Sequence, residues 1–500
     1  MGLRDYTFYD ILEHNARLRG SVLAAVSSDE SISHQEFLAR VDQLAAGIST
    51  QGISKGDRIC ILAQNSIEYL VLYGACAKTG AIAYPINWRL SAQEVKHVVA
   101  LADPQMLVVG ADHVAQLEGI DGSGLRIRAL IGEGSADGFM PLAELYEADS
   151  RPAADVNSDD PFVVISTAAV AGVPRGAVLS HKNVIVANYL TITRLGLTEK
   201  DCNLAAMPFF HILGLGLTFA ITQTGGKNAV LEKFDPAKAV QMMDQHDVTL
   251  MPDFPPILSM LLDARKAAAA HWKTLTHVVG LDRPEVIQRL YSETNAKFWT
   301  GFGQSETSGM ITWVRVDQKP GATGKARPLV RVRCVNDAGD DVPVGDVGEI
   351  AVQGPVVFQG YWRDPDATAY TFRHGWHHTG DLGRFDAEGY LYYAGRKPEK
   401  ELIKSGGENV YPAEVEQVVI KMPGVAAVCV IGVSDPKWGE AVKAVIEPEP
   451  GHTLNAEQVS AFVSERIASF KKPRYVDFVE KMARNANGEI DRMAVKAAHG

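Results

Sequence analysis

The sequence predicts an α/β protein: a large N-terminal domain of mixed, mostly parallel sheets, a β-barrel-like antiparallel subdomain, and a small α/β C-terminal domain. Three observations lead there. Short apolar runs alternate with amphipathic stretches through the first 320 or so residues, the pattern of strands separated by helices. From about residue 320 the chain alternates apolar and polar residues around an Asp-Ala-Gly turn. Past a charged joint at Glu399 to Glu401, which follows Pro398, short α/β units return. The predicted domains are therefore 1–398, with the antiparallel region at about 320–398, and 399–500.

Taken in order, "SHQEFLARVDQLAAGISTQG" has helical spacing and stops at a glycine. "DRICILAQN" reads as a buried strand, and "IEYLVLYGACAKTGAIAYPIN" as a helix running into a short strand. "DPQMLVVG", "PFVVIST" and "AVLEKF" continue the strands. "VRVRCVNDAGDDVPVGDVGEIAVQG" is the antiparallel stretch. "PAEVEQVVIKMPG", "VAAVCVIGV", "EAVKAVIEP" and "AEQVSAFVSERIASF" supply the last domain. There are no repeats and no low-complexity segment.

Composition narrows the function. Five hundred residues exceed what one hydrophobic core serves. A hydrophobic share of 46% with 22% charged residues suits a soluble globular chain. The formal charge of −11 argues against nucleic acid, which rewards basic surfaces. Cys60, Cys76, Cys202, Cys334 and Cys429 are scattered and form no CxxC pair, which favours reduced thiols and a cytoplasmic setting. The opening residues carry acids and no apolar segment, so no secretion signal is expected. No run is long enough for an integral membrane span.

Single motifs are ambiguous. His211 in "MPFFHILG" suits a core histidine as well as a site residue, and Glu306 in "TGFGQSETSG" suits a solvated turn. Asp381 in "HTGDLG" could meet ribose hydroxyls or close a turn. "KSGGENVYPAEVE" sets two glycines before a helix start. Their order and spacing are specific together. With "SKGDRICILAQNSIEYLVLYGACAKTGAIAYPIN", "GEIAVQGPVVFQGYWRDPDAT", "GWHHTGDLG" and "ANGEIDR", they make the chain resemble, nearly end to end, the adenylate-forming (AMP-binding) superfamily in its acyl-CoA synthetase branch.

The resemblance implies an AMP-forming acid–thiol ligase. Such an enzyme joins a carboxylic acid to AMP with ATP and Mg²⁺, then transfers the acyl group to CoA after a mobile C-terminal domain rotates. A homodimer stays open. It implies His211 at the junction of acyl group and phosphate, and Glu306 on Mg²⁺, a hard cation that prefers carboxylate oxygen. Asp381 and Arg396 would hold the ribose. Gly280, Gly301 and Phe302 would pack adenine, with Gly303 and Ser305 in the same nucleotide-binding block. Thr167, Gly172 and Arg175 would face phosphate. Ser405, Gly406, Gly407 and Glu408 would meet the pantetheine arm of CoA. Specificity is expected from the residues after His211, from Leu281 to Arg283, and from Phe302 to Ile311. These are mostly apolar and imply a hydrophobic acid, with Arg283 leaving a second carboxylate open.

The departures are equally informative. Where the family's phosphate loop is rich in Thr, Ser and Gly, this chain has Ala168, Ala169, Val170 and Ala171, and Arg175 replaces lysine. Backbone N–H groups carry most phosphate binding, so the alanines need not abolish it. The segment between Arg396 and Ser405 is two residues longer than usual, which makes Lys400 or Glu401 the hinge. Glu489 stands where the family carries its adenylation lysine. A carboxylate about 4 Å from a phosphate is repelled by roughly 4 kcal/mol at an effective dielectric of about 20, so Glu489 is not expected in that position during chemistry and reads as a surface glutamate on a terminal turn. Two alternatives therefore accompany the ligase reading. One is a member biased to the thioester half-reaction or its reversal. The other is a non-enzymatic descendant that binds nucleotide or acyl-CoA, against which the survival of Glu306, Asp381 and Arg396 argues.

Overall fold

The computed structural model describes residues 2–146, 154–170, 173–397, 401–485 and 488–500. Two large sheets form the N-terminal region. The first runs Gly360–Tyr361, Val173–Ser180, Pro161–Val170, Ile82–Pro85, Arg58–Leu62, Met106–Gly110, Ile127–Ile131 and Met140–Pro141. Its strands are parallel from Pro161–Val170 onward, and the first two pairings are antiparallel. The second sheet has nine strands, with Leu250–Asp253 and Cys202–Ala205 near its centre and antiparallel pairs at its ends.

The helix Ile67–Thr79 explains how the two sheets stay together. All its residues but Glu68 are buried. A helix apolar on every side belongs in an interior. Tyr73 and Leu72 pack in a core that also draws Ile59 and Phe162 from one sheet and Ala25 and Val230 from the other. Ser66 caps this helix by accepting from the Tyr69 N–H, and Gly80 ends it in the left-handed conformation that glycine adopts without penalty.

The antiparallel region is a four-stranded sheet in open order: Arg331–Val335, Gly348–Gln353, His377–Phe385 and Leu391–Arg396. The C-terminal region has a five-stranded sheet around the long hairpin Val425–Asp435 and Gly439–Pro448, covered by the helices Pro412–Val419 and Ala456–Ser464. Of the expected joint, Glu399 and Lys400 lie outside the described residues. Glu401 is half-buried and pairs with Arg492 at 3.1 Å. Among the described residues no helix is long and apolar enough to cross a membrane.

The stretch Ser166 to His181, which resembles the family's phosphate loop, is an antiparallel hairpin in its described residues, pairing Ser166 with Gly176 and Thr167 with Arg175. The next helix, His181–Leu195, begins beyond the second strand, capped by Ser180.

Gly280 illustrates close strand packing. A Cβ there would lie 1.8 Å from the backbone oxygen of Asp253 on the neighbouring strand. Gly280→Ala is expected to cost about 2 kcal/mol or more, because backbone cannot give way as a side-chain end can. Chemical denaturation of the two proteins measures it, and an unchanged midpoint would contradict the packing.

Candidate active site

The cavity is built from both regions. Asn65, at the end of the strand Arg58–Leu62, holds the loop of the other sheet: its Nδ2 donates to the Ala205 and Met207 carbonyls and its Oδ1 accepts from the Phe209 N–H at 3.0 Å. Tyr73 donates its hydroxyl to the Phe209 carbonyl. This clamp fixes the approach to His211, which precedes the helix Ile212–Thr224 without capping it. The ring is thereby left free to bond elsewhere. Its Nε2 lies 3.2 Å from Glu408 Oε1, on the other domain.

Glu408 is buried and fully engaged. Its Oε1 also accepts from Arg89 at 3.0 Å, and its Oε2 accepts from Asn87 Nδ2 at 2.9 Å. Burial acts to raise this carboxyl, but His211, Arg89 and Asn87 outweigh it and hold it below the ordinary range. A second buried charge, Lys471, joins Glu94 of the N-terminal region at 2.6 Å to Glu414 at 2.8 Å. The loop Ser405 to Glu408 therefore closes one side of the cavity. Gly407 and Glu408 line it, whereas Ser405 is buried and Gly406 sits against the Trp438 ring.

Across the cavity lie Asp381 and Arg396, cross-strand partners in the antiparallel sheet. Asp381 Oδ1 accepts from Arg396 Nε at 2.8 Å and from the Tyr393 hydroxyl at 3.3 Å, and Oδ2 accepts from Gln304 Nε2 at 2.9 Å. A carboxylate offers about four lone-pair sites, so Asp381 keeps capacity for a hydroxyl donor. Burial alone would lower Arg396, but Asp381 holds it raised, so the guanidinium stays charged. The turn carrying Asp381 is itself held: Glu349 accepts from the Gly380 N–H at 2.9 Å and pairs with His378, Arg373 and Lys397.

Glu306 lines the same cavity. Its Oε1 accepts from the Tyr361 hydroxyl at 2.9 Å, and its Oε2 has no hydrogen-bond partner among the described residues. No group of three or more His, Cys, Asp or Glu could hold a metal among the described residues. One free carboxylate oxygen fits Mg²⁺ that completes its shell with phosphate oxygens and water. Arg175 also lines the cavity, with its Nε on Asp364 at 2.9 Å and its guanidinium over the Tyr361 ring.

Of the residues expected in the site, the structure brings together Thr167, Arg175, His211, Gly303, Ser305, Glu306, Asp381, Arg396, Gly407 and Glu408. Gly280, Gly301 and Phe302 do not reach the cavity wall. Phe302 packs in a core with Leu190, Ile311 and Val330 and stacks on Tyr393, and Gly301 presses on the Thr312 carbonyl. Gly172 lies outside the described residues. Leu281 to Arg283 are not among the residues that line the cavity. Asp282 faces the buried Asp253, and burial raises both carboxyls. Reading motifs missed Asn65, Asn87, Arg89, Gln304, Lys404 and Lys471. Gln304 stood inside a quoted motif, whereas nothing local marks Arg89. Lys404 lines the cavity with no ion-pair partner among the described residues. Glu489 is on the surface, in a turn where its Oε2 accepts from Asn485 at 3.2 Å, outside the cavity.

The comparisons agree with this geometry. The family model described as AMP-binding enzyme matches residues 12–362, and the AMP-binding enzyme C-terminal domain matches 414–489. Feruloyl-CoA synthase of an Amycolatopsis species is 32% identical over 494 residues, 97% of each chain. A structure from Rhodopseudomonas palustris, provisionally assigned as a long-chain-fatty-acid CoA ligase, is 41% identical, covers 79% of this chain and 100% of that one, and has a TM-score of 0.76. The o-succinylbenzoate CoA synthetase of Bacillus subtilis is 25% identical, with 99% of each chain covered. Its TM-score is 0.86 for a double mutant bound to its product analogue OSB-NCoA and 0.71 for the complex with the acyl-adenylate intermediate. The chain belongs to the AMP-binding enzyme family. It is an AMP-forming acyl-CoA ligase, an acid–thiol ligase whose substrates are a carboxylic acid, ATP and CoA.

Two variants test the Asp381 side of the cavity, where the sequence reading expects the ribose. Asp381→Ala is expected to weaken AMP binding by on the order of a hundredfold, read by calorimetry, through loss of charge-assisted bonds and an orphaned Arg396. Glu349 tests the support behind it. Burial opposes ionisation, but His378, Lys397 and Arg373 prevail and bring Glu349 from an ordinary 4.5 to about 2. Its folded value is depressed, so its contribution is present above about 4.5 and is lost as pH falls through about 2. Glu349→Gln should be less stable by on the order of 3 kcal/mol at pH 7, and the gap should narrow at pH 3 and below in urea melts.

Proposed function

We propose that this ligase activates a hydrophobic carboxylic acid, and that its C-terminal domain stands in the arrangement for acyl transfer to CoA. The observation that carries this reading is the continuity of the cavity. One continuous cavity holds an apolar chamber lined by Ala187, Ile212, Leu213, Leu217, Met310 and Trp313, together with Glu306, Asp381 and Arg396 and with Pro85, Asn87 and Phe470. It offers apolar lining to an acyl group and polar lining to a nucleotide, with His211 among the same residues. The higher TM-score to the product-analogue complex than to the adenylate complex of the same Bacillus enzyme supports the domain arrangement.

In the first half-reaction the acid's carboxylate oxygen attacks the α-phosphorus of ATP and pyrophosphate departs. Asp381 and Arg396 hold the ribose, and His211 stands where acyl group and phosphate join. Mg²⁺, carried on Glu306, neutralises phosphate charge when bound. In the second, the thiol sulfur attacks the acyl carbon and AMP leaves with the bonding electrons. Glu408, which orients His211 and fastens the domain to Asn87 and Arg89, is a positioning residue for this step. The pivot is Lys400 or Glu401.

The phosphate side is weakened, because Glu489 stands in sequence where the family carries its adenylation lysine and Ala168, Ala169, Val170 and Ala171 supply no hydroxyls. Adenylation is therefore the slower half-reaction, and supplying preformed acyl-adenylate should bypass most of the loss. Glu489→Lys is expected to speed single-turnover pyrophosphate release by about ten to a thousandfold while leaving acyl transfer nearly unchanged. A fast wild-type burst, with no gain in the variant, would show that Lys404 or another cation already serves the phosphate. The activity itself is tested by incubating candidate acids with ATP, Mg²⁺ and CoA. Mass spectrometry should find AMP and an acyl-CoA, and their absence across hydrophobic acids would reject the substrate class.

A further inference from the structure

The apolar chamber contains one polar side chain whose orientation can be worked out. Asn188, on the helix His181–Leu195, is 2% exposed and lines the cavity. Its Nδ2 donates to Gln223 Oε1 at 3.0 Å. Gln223 cannot be turned round without loss, because its own Nε2 donates to the Ile185 carbonyl at 3.4 Å. The backbone carbonyl sets the Gln223 amide, and Gln223 sets that of Asn188. Asn188 Oδ1 is left without a hydrogen-bond partner among the described residues.

Neighbouring donors are already spent. Thr191 donates its hydroxyl to the Ala187 carbonyl at 3.2 Å, and Trp313 donates Nε1 to the Met310 carbonyl at 3.1 Å. An apolar wall with an oriented acceptor and these donors committed favours a ligand that brings a donor of its own. A buried carbonyl oxygen left without one costs free energy, so an acid lacking the donor binds less well.

Resting on the hydrophobic-acid reading above, we propose that Asn188 is a specificity-determining residue, and that the preferred acid is an apolar body bearing a hydroxyl or a ring N–H that donates to Asn188 Oδ1. Neither a plain hydrocarbon chain nor an acid whose only distal polar group is an acceptor fills this role. Gln223 acts through Asn188, as a positioning residue.

The test compares matched acids that differ only in the donor. Suitable sets are cinnamate, 4-hydroxycinnamate and 4-methoxycinnamate, octanoate with 8-hydroxyoctanoate, and indole-3-acetate with its N-methyl derivative. kcat/KM for AMP release with CoA is measured for the wild type, Asn188→Leu and Gln223→Met. In at least one set the wild type should prefer the donor-bearing acid by about tenfold or more, and Asn188→Leu should bring that ratio near one or invert it, largely by improving the donor-free acid. Gln223→Met should shrink the ratio in the same direction, and it carries the test if Asn188→Leu does not fold. Turnover of every set without donor preference, or a preference untouched by both variants, overturns the proposal while leaving the hydrophobic-acid reading intact. Failure of all these acids to release AMP rejects that reading, and this inference with it.

Discussion

The arrangement of the molecule turns on one buried carboxylate. Glu408 comes from the small C-terminal domain and spends its oxygens on Asn87, Arg89 and His211 of the large one. Taking a carboxylate out of water costs several kcal/mol, recovered only when its lone pairs are well matched. The bond is therefore conditional: it holds only while the domain is docked so that these partners meet it. Lys471 repeats the logic between Glu94 and Glu414. Two small polar clusters thus join the C-terminal domain to the wall of the cavity. The domain rotation proposed above suits such contacts, because the polar groups would be solvated once undocked.

The two ends of the site are built to different standards. Around Asp381 the support is several bonds deep, from Gln304 and Tyr393 to Glu349 and its cations. Glu306 is backed by Tyr361, and Tyr361 by Arg175, which is itself paired with Asp364. The outer phosphates would face a hairpin poor in hydroxyls, and Glu489 is held on the surface by Asn485. The ribose and metal roles proposed for Asp381, Arg396 and Glu306, beside a phosphate loop poor in hydroxyls, would fit an enzyme whose nucleotide product is gripped better than its pyrophosphate. Loss of the whole nucleotide function would have released Asp381 and Arg396 from any requirement to remain paired.

The sequence by itself determined the class of fold, the order of its parts and most of the residues with distinctive chemistry. Hydrophobic period and turn chemistry are local, so strands such as Arg58–Leu62 and the helix Ile67–Thr79 were readable. His211, Glu306, Asp381 and Glu408 were readable only as members of an ordered set of motifs. The tertiary structure alone decided which of them share a cavity. Phe302 stands next to Gly303 in the chain, yet its ring faces a core, because successive residues in extended chain point to opposite sides. Arg89 and Asn87 became site residues only through a partner 319 and 321 positions away. Asn188 is one amide on an ordinary helix until Gln223, 35 residues on, turns its oxygen away from the protein's own donors. Periodicity records which face of an element is buried. It does not record what lies across from that face, and the chemistry of this site is made across such gaps.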